Sequence, residues 1–200
     1  MLSSISPLGE RARNSRWWLT TTAYLLGSLA GGLVMGGLAA LLGSALPDSV
    51  RTSPWTLVVV AVLMLVGLVF DLRGPQSLPS WRRQVSVDWL TRYRGWVYGG
   101  GFGVQLGFGL VTIITSATTY AVVLLAALTG HLGAGLAVGA TFGVVRALPS
   151  LLLARVDDRE GLHRVFIRVE QWTNPAAVIA KVALGGAAAI LLAAAATLGS

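Results

Sequence analysis

The sequence predicts an all-α protein, a polytopic transmembrane helical bundle of about five spans with two cytoplasmic amphipathic interfacial helices. Three observations lead there. Hydrophobic residues make up 54% of the 200 residues and charged residues 12%, about half the roughly 25% usual for a soluble domain. The apolar residues collect into five long runs. The basic residues fall almost entirely between those runs. Mean hydropathy is +0.73. So few charges would be thin cover for a water-exposed surface, which excludes an ordinary soluble domain, a disordered chain and a disulfide scaffold.

A hydrocarbon core of about 30 Å needs about 20 apolar residues at 1.5 Å each. The five runs are 17–46, 55–72, 96–128, 131–153 and 176–198. Backbone polar groups in lipid must bond within their own segment, so each run is expected to be helical. The first run is about twice the length of a signal peptide's apolar region, so it is expected to stay as a span. No separate soluble domain is expected; the chain reads as a single membrane domain.

Arginine placement orients these spans. The segments outside and between them carry 3, 1, 5, 0, 4 and 0 arginines in chain order. By the positive-inside rule the N-terminus is cytoplasmic and the C-terminus outside, in a bacterial plasma membrane. A six-span alternative, splitting the third run, would send the last basic connection outward. Trp17, Trp18, Trp55 and Trp96 sit at predicted span starts and Trp172 just before the fifth, where indole rings prefer the headgroup boundary.

Two connections read as basic amphipathic helices. In the first, Ser80 is a candidate cap, and Val85, Trp89, Tyr93 and Trp96 recur at helical spacing. In the second, Leu162, Val165, Phe166, Val169 and Trp172 form one stripe. Asp157 and Asp158 suit its first turn, and Asn174-Pro175 is expected to stop it. Such helices lie in the interface plane over anionic headgroups. They serve either as connectors or as a docking surface for a partner. The layout, two spans and a basic connection repeated, hints at a duplication.

Glycines recur every four residues: Gly27 and Gly31, and Gly32 and Gly36, in span one; Gly95, Gly99, Gly103 and Gly107 in span three; Gly135, Gly139 and Gly143 in span four. That spacing lines one helix face with small residues, so backbones can approach closely. Spans one, three and four are therefore expected to form a tight internal bundle, the rival being a homo-oligomer seam. The Gly99–Gly103 run GGGFG lacks the Lys-Ser/Thr of a phosphate loop and follows no strand.

Span three would be roughly 50 Å long if straight, so it must tilt, kink or break. Its polar cluster TSATTY is the expected place. The span also carries Thr112; Gln105, Thr115, Ser116 and Thr119, with Arg146, mark the expected substrate path beside it, the alternative being that the hydroxyls bond back to the helix. Arg146 is the arginine well inside a span. It is a candidate to hold an anion, to pair with Asp71 or to snorkel to the headgroups. Pro149 is placed to kink span four.

With no cysteine there is no thiol nucleophile and no Cys-ligated metal or cluster. His131 and His163 lie in different connections with no carboxylate at ligand spacing. No metal, cofactor or catalytic residue is expected. The basic balance points to lipid headgroups and not to nucleic acid.

The stretch 101–156 reads GFGVQLGFG, then a polar break, an Ala/Leu run and GATFGVVRALPSLLLARV. It resembles the second half of the membrane-embedded thiol–disulfide electron shuttles of cytochrome c biogenesis, in the broad superfamily of LysE-like exporters. The resemblance implies a shared helical scaffold with a substrate route near the break. The family's Cys-Pro would fall near TSATTY and is absent, so no catalytic residue carries over. The expected function is therefore a small permease or exporter-like transporter. The alternative is a non-transporting membrane subunit that docks a partner through its glycine faces and basic helices.

Overall fold

In the computed structural model the described residues are 7, 10, 16–74, 93–109, 116–154, 156 and 158–199. Among them the regular elements are all helical: α1 Trp17–Ser44, α2 Asp48–Arg51, α3 Pro54–Arg73, α4 Gly95–Phe108, α5 Thr118–Thr129, α6 Leu132–Ala147, a 3-10 turn Leu148–Leu153, and α7 Arg159–Gly199. Four helical stretches are long and apolar enough to cross a membrane: α1, α3, α6 with its 3-10 turn, and α7. The protein is a helical membrane bundle.

Local chemistry sets the boundaries. Ser53 caps α3 by accepting a hydrogen bond from Thr56 N at 3.2 Å, and Pro54 fills the first position, where a missing N–H costs nothing. Gly74, Gly109 and Gly130 take positive φ where α3, α4 and α5 end. At Pro149 the end of α6 tightens to a 3-10 turn, because the ring cannot donate to the α-helical ladder. Asp158 opens α7 by accepting from Gly161 N at 2.6 Å.

One expected break is located and one expected boundary is corrected. The run 96–128 is not one continuous helix: α4 stops at Phe108, where Gly109 turns left-handed at φ +74°, and α5 starts only at Thr118. Pro175 does not stop a helix either. The interfacial stretch and the fifth run form one 41-residue helix through Pro175, roughly 60 Å long. The proline sits on an exposed face, and the Thr173 hydroxyl donates to Val169 O at 2.9 Å in the same turn. In lipid such local bonds let a helix tolerate proline. The other expected amphipathic helix, with Ser80, Val85 and Trp89, lies outside the described residues, as do Thr112, Thr115 and Asp157.

The helices pack in two clusters that share α5. In the first, α1 lies between α4 and α6. Gly27 and Gly32 are five residues apart, which turns their ladders about 140° from one another on α1. One ladder therefore meets α4 and the other α6. A methyl on Gly31 would overlap Val104 O and come 2.8 Å from Phe108 N; one on Gly36 would overlap Gly135 O and come 2.8 Å from Gly139 Cα. From the far side, Gly103 abuts Tyr24 O, Gly107 and Gly143 both abut Ser28 O, and Gly139 abuts Gly32 O. Gly99 meets Thr20, and Gly95 is buried at the start of α4. The glycine faces thus meet one another inside a single chain, with backbone against backbone. Ser28, wholly buried, donates its hydroxyl to Gly143 O at 2.7 Å.

In the second cluster α3 and α7 pack by side chains with the start of α5, while the far end of α5 turns to α1, where Ala127 O abuts Gly43. Val60, Ala61, Met64, Ala117, Ala121, Leu184 and Ala188 form the buried core of this cluster. Residue pairing gives the directions: α4 runs parallel to α1, α6 antiparallel to it, and α7 antiparallel to α3. Large aliphatic side chains cover the outside; Leu42, Ile179, Val182 and Ile190 are each more than two-thirds exposed. In water this would be an aggregation surface; in lipid it is the ordinary one.

Candidate functional site at the helix break

The chemistry-bearing residues gather where α4 ends and α5 begins. Asp71, in the last turn of α3, is 8% exposed. Its Oδ2 accepts from Ser116 Oγ at 2.8 Å and its Oδ1 from Ala117 N at 2.8 Å. The Ser116 hydroxyl in turn accepts from Thr118 N at 3.3 Å and from Thr118 Oγ1 at 3.0 Å. Asp71 therefore acts as a cap supplied by another helix. It satisfies a backbone donor that α5 cannot satisfy itself and places negative charge at the positive end of the helix dipole.

The opposite end of α5 carries the opposite charge. Arg51, 7% exposed, lies against Gly130, the left-handed residue that closes α5. Its Nη2 donates to Asp48 Oδ1 at 2.5 Å, while its Nε is buried without a hydrogen-bond partner. A cation at a helix C-terminus faces the negative end of the dipole. The twelve residues of α5 cover roughly 18 Å, too short to cross a bilayer core of about 30 Å. Opposite charges from α3 and α2 bracket this short helix, and an ordinary span needs neither.

Arg146 sits on the other side of the break. Its guanidinium lies 5.2 Å from the centre of the Phe142 ring, a cation–π contact, and its Nη1 is buried without a hydrogen-bond partner. Both side chains crowd Gly109: a methyl there would meet Phe142 Cε1 at 3.0 Å and Arg146 Nη1 at 3.2 Å. The suggested Arg146–Asp71 pair does not form: Asp71 bonds Ser116 and Ala117, while the Arg146 guanidinium lies over Phe142.

Of the proposed path residues, Gln105 is half-buried in the last turn of α4 and accepts from Gly109 N through its backbone carbonyl at 3.3 Å. Ser116 joins Asp71. Thr119 is buried in the first turn of α5. Thr115 lies outside the described residues. Among the described residues no group of three or more His, Cys, Asp or Glu could hold a metal.

Sequence reasoning missed two features. Asp71 was read as a partner for arginine, not as a cap. Glu10 was not singled out, yet it is fully buried and accepts from Thr20 Oγ1 at 2.9 Å and from the Tyr98 hydroxyl. Its carboxylate links Thr20 of α1 to Tyr98 of α4, next to the tilted Tyr98–Phe102 ring pair. The available signal was a lone carboxylate close to the start of an apolar run, which by itself names no partner.

No family model matches the chain, and no solved structure matches it. Curated relatives do. The chain is similar to the methylamine utilization protein MauF. It is 32% identical to MauF of Paracoccus denitrificans over 159 residues, which cover 74% of this chain and 54% of the relative. The match to MauF of Paracoccus versutus is 32% over 155 residues, 74% of this chain and 55% of the relative. For Methylophilus methylotrophus it is 30% over 156 residues, 74% and 53%. The chain spans about half the length of the curated relatives it matches.

These matches correct the resemblance to the thiol–disulfide shuttles. The relatives found are MauF proteins, and nothing found points to the shuttle family. The residues that carried that resemblance have a packing explanation: Gly103, Gly107, Gly139 and Gly143 are where α4 and α6 touch α1. Close helix packing imposes such a pattern on unrelated membrane bundles.

Proposed function

We propose that the chain is a non-transporting membrane subunit that supports methylamine utilization by docking a partner protein. It would sit in a bacterial plasma membrane in five passes, with its N-terminus cytoplasmic and its C-terminus outside. It has no catalytic role in this reading. The observation that carries it is how the break is satisfied. Ser116 and the N-terminus of α5 are committed to Asp71, and the glycine faces are used within the chain. Rigid packing suits a scaffold better than a moving gate. The similarity to MauF supplies the metabolic context.

The test is disruption of the gene in its own host. Growth on methylamine should be lost while uptake of radiolabelled methylamine stays normal. Unimpaired growth would refute the reading.

A second reading, the permease, keeps one observation in its favour: the buried, partnerless Nη1 of Arg146. In that reading Gln105, Thr115, Ser116 and Thr119 border a path and Arg146 biases it toward anions. Loss of uptake or efflux of an anionic solute in the disruptant, reproduced by Arg146→Leu at normal protein abundance, would select it.

A further inference from the structure

Where α6 and its 3-10 turn meet the start of α7, two adjoining hollows share Leu152. One, about 450 Å³, is lined by Leu151, Leu152, Val156, Val165, Arg164 and Arg168. The other, about 380 Å³, continues toward the apolar half of α7 and is lined chiefly by Leu148, Pro149, Leu152, Val169 and Trp172. Arg164 and Arg168 are four residues apart, so they project from one helix face, and both are exposed. Among the described residues neither lining includes a carboxylate. The neighbouring Asp158 already accepts from Gly161 N. The hollows thus form a trough with an oily floor and a doubly cationic mouth, at the junction of the polar and apolar parts of α7.

We propose that this trough binds an anionic phospholipid. The phosphate sits between Arg164 and Arg168, and one acyl chain lies along Leu152 toward Pro149 and Trp172. Two guanidiniums on one face match a phosphodiester in charge and in donor geometry. An indole beside the chain suits the interface, where one edge is dry and the N–H is wet. Charge alone would hold a free anion, and oil alone would hold any lipid. The pairing of the two selects a molecule with both parts.

The experiment is native mass spectrometry of the full chain in detergent, with phosphatidylglycerol and phosphatidylcholine supplied in equal amounts. Wild type should retain phosphatidylglycerol preferentially. Replacing both cations (Arg164→Gln with Arg168→Gln) should lower that preference roughly 30-fold, given about 1 kcal/mol for each arginine near a headgroup. Leu152→Trp, which fills the trough and leaves the charge alone, should weaken retention of phosphatidylglycerol. Arg94→Gln, a charge change elsewhere, should leave the preference intact. Millimolar inorganic phosphate should not displace the lipid. An unchanged preference in the double variant, an equal loss with Arg94→Gln, retention unaffected by Leu152→Trp, or displacement by phosphate would each overturn the proposal.

Discussion

Between α1, α4 and α6 the backbones meet directly, glycine against carbonyl, with Ser28 wedged at the crossing. Between α3, α5 and α7 the backbones are held apart by Val60, Met64 and Leu184. Both groups pack without the hydrophobic drive of water, since lipid tails are as apolar as leucine. They reach contact by opposite means. The first relies on many short backbone approaches that admit no added atom. The second relies on interdigitated side chains that can give a little. An added methyl should therefore be severe in one group and mild in the other, and a removed methyl should matter only in the second.

The largest expected effect follows from adding atoms to the first group. Gly36→Leu must push Gly135 O and Gly139 Cα aside, and backbone cannot yield as a rotamer can. Overpacking in ordinary cores costs roughly 1–3 kcal/mol; here the loss should exceed that, leaving little monodisperse protein on size-exclusion chromatography. Gly186→Leu, on a part of α7 with nothing within 4 Å of the added carbon, should elute like wild type. Equal behaviour of the two variants would erase the distinction between the groups.

This division was half visible in the sequence. Spacing of four glycines is a repeat along one helix, and the helix period converts it directly into a face. That Gly27/Gly31 and Gly32/Gly36 form two faces for two neighbours shows only in the structure. The break in the third run was also visible, because an apolar segment of that length cannot stand straight in a bilayer. What satisfies the break was not. Asp71 lies 45 residues from Ser116, and no local pattern links a carboxylate at one helix end to the start of another. Pro175 misled for a related reason: proline stops helices where a better-bonded alternative exists, and lipid offers none. The single-helix path through Asn174-Pro175 follows from the solvent, not from the residue.

Asp71→Ala should have the next largest effect. It leaves Ala117 N and the Ser116 hydroxyl without their acceptor at the start of a helix too short to hold itself. The expected loss is about 3 kcal/mol, from two donors that bonded a charged group. Amide hydrogen exchange should show faster opening of α5 while α1 and α6 keep their protection. Asp71→Asn, which keeps an acceptor, should cost less. If α1 opened equally, the two groups would be one cooperative unit.

Leu184→Ala removes atoms from the second group. Leu184 is 2% exposed among α3 and α5. Because lipid supplies little transfer energy, the lost contacts dominate, and the destabilisation should fall near the low end for buried leucine, about 2 kcal/mol. Thermal unfolding in detergent would read it. Gly185→Ala, next in sequence, faces only Leu68 Cδ2 at 3.6 Å and should be neutral.

The smallest effect tests what really holds the first group. Ser28→Ala removes the hydroxyl that donates to Gly143 O but keeps the small volume on which Gly103, Gly107 and Gly143 close. If backbone contact supplies the cohesion, the loss should be only about 0.6 kcal/mol, the average for an interhelical side-chain bond in membranes. Ser28→Val, which restores bulk without the hydroxyl, should be far worse, because the added methyls enter a crossing where three glycines already meet backbone. If Ser28→Ala proved as damaging as Ser28→Val, the hydrogen bond rather than the close approach would be the organising contact. The two helix groups would then differ in polarity and not in packing.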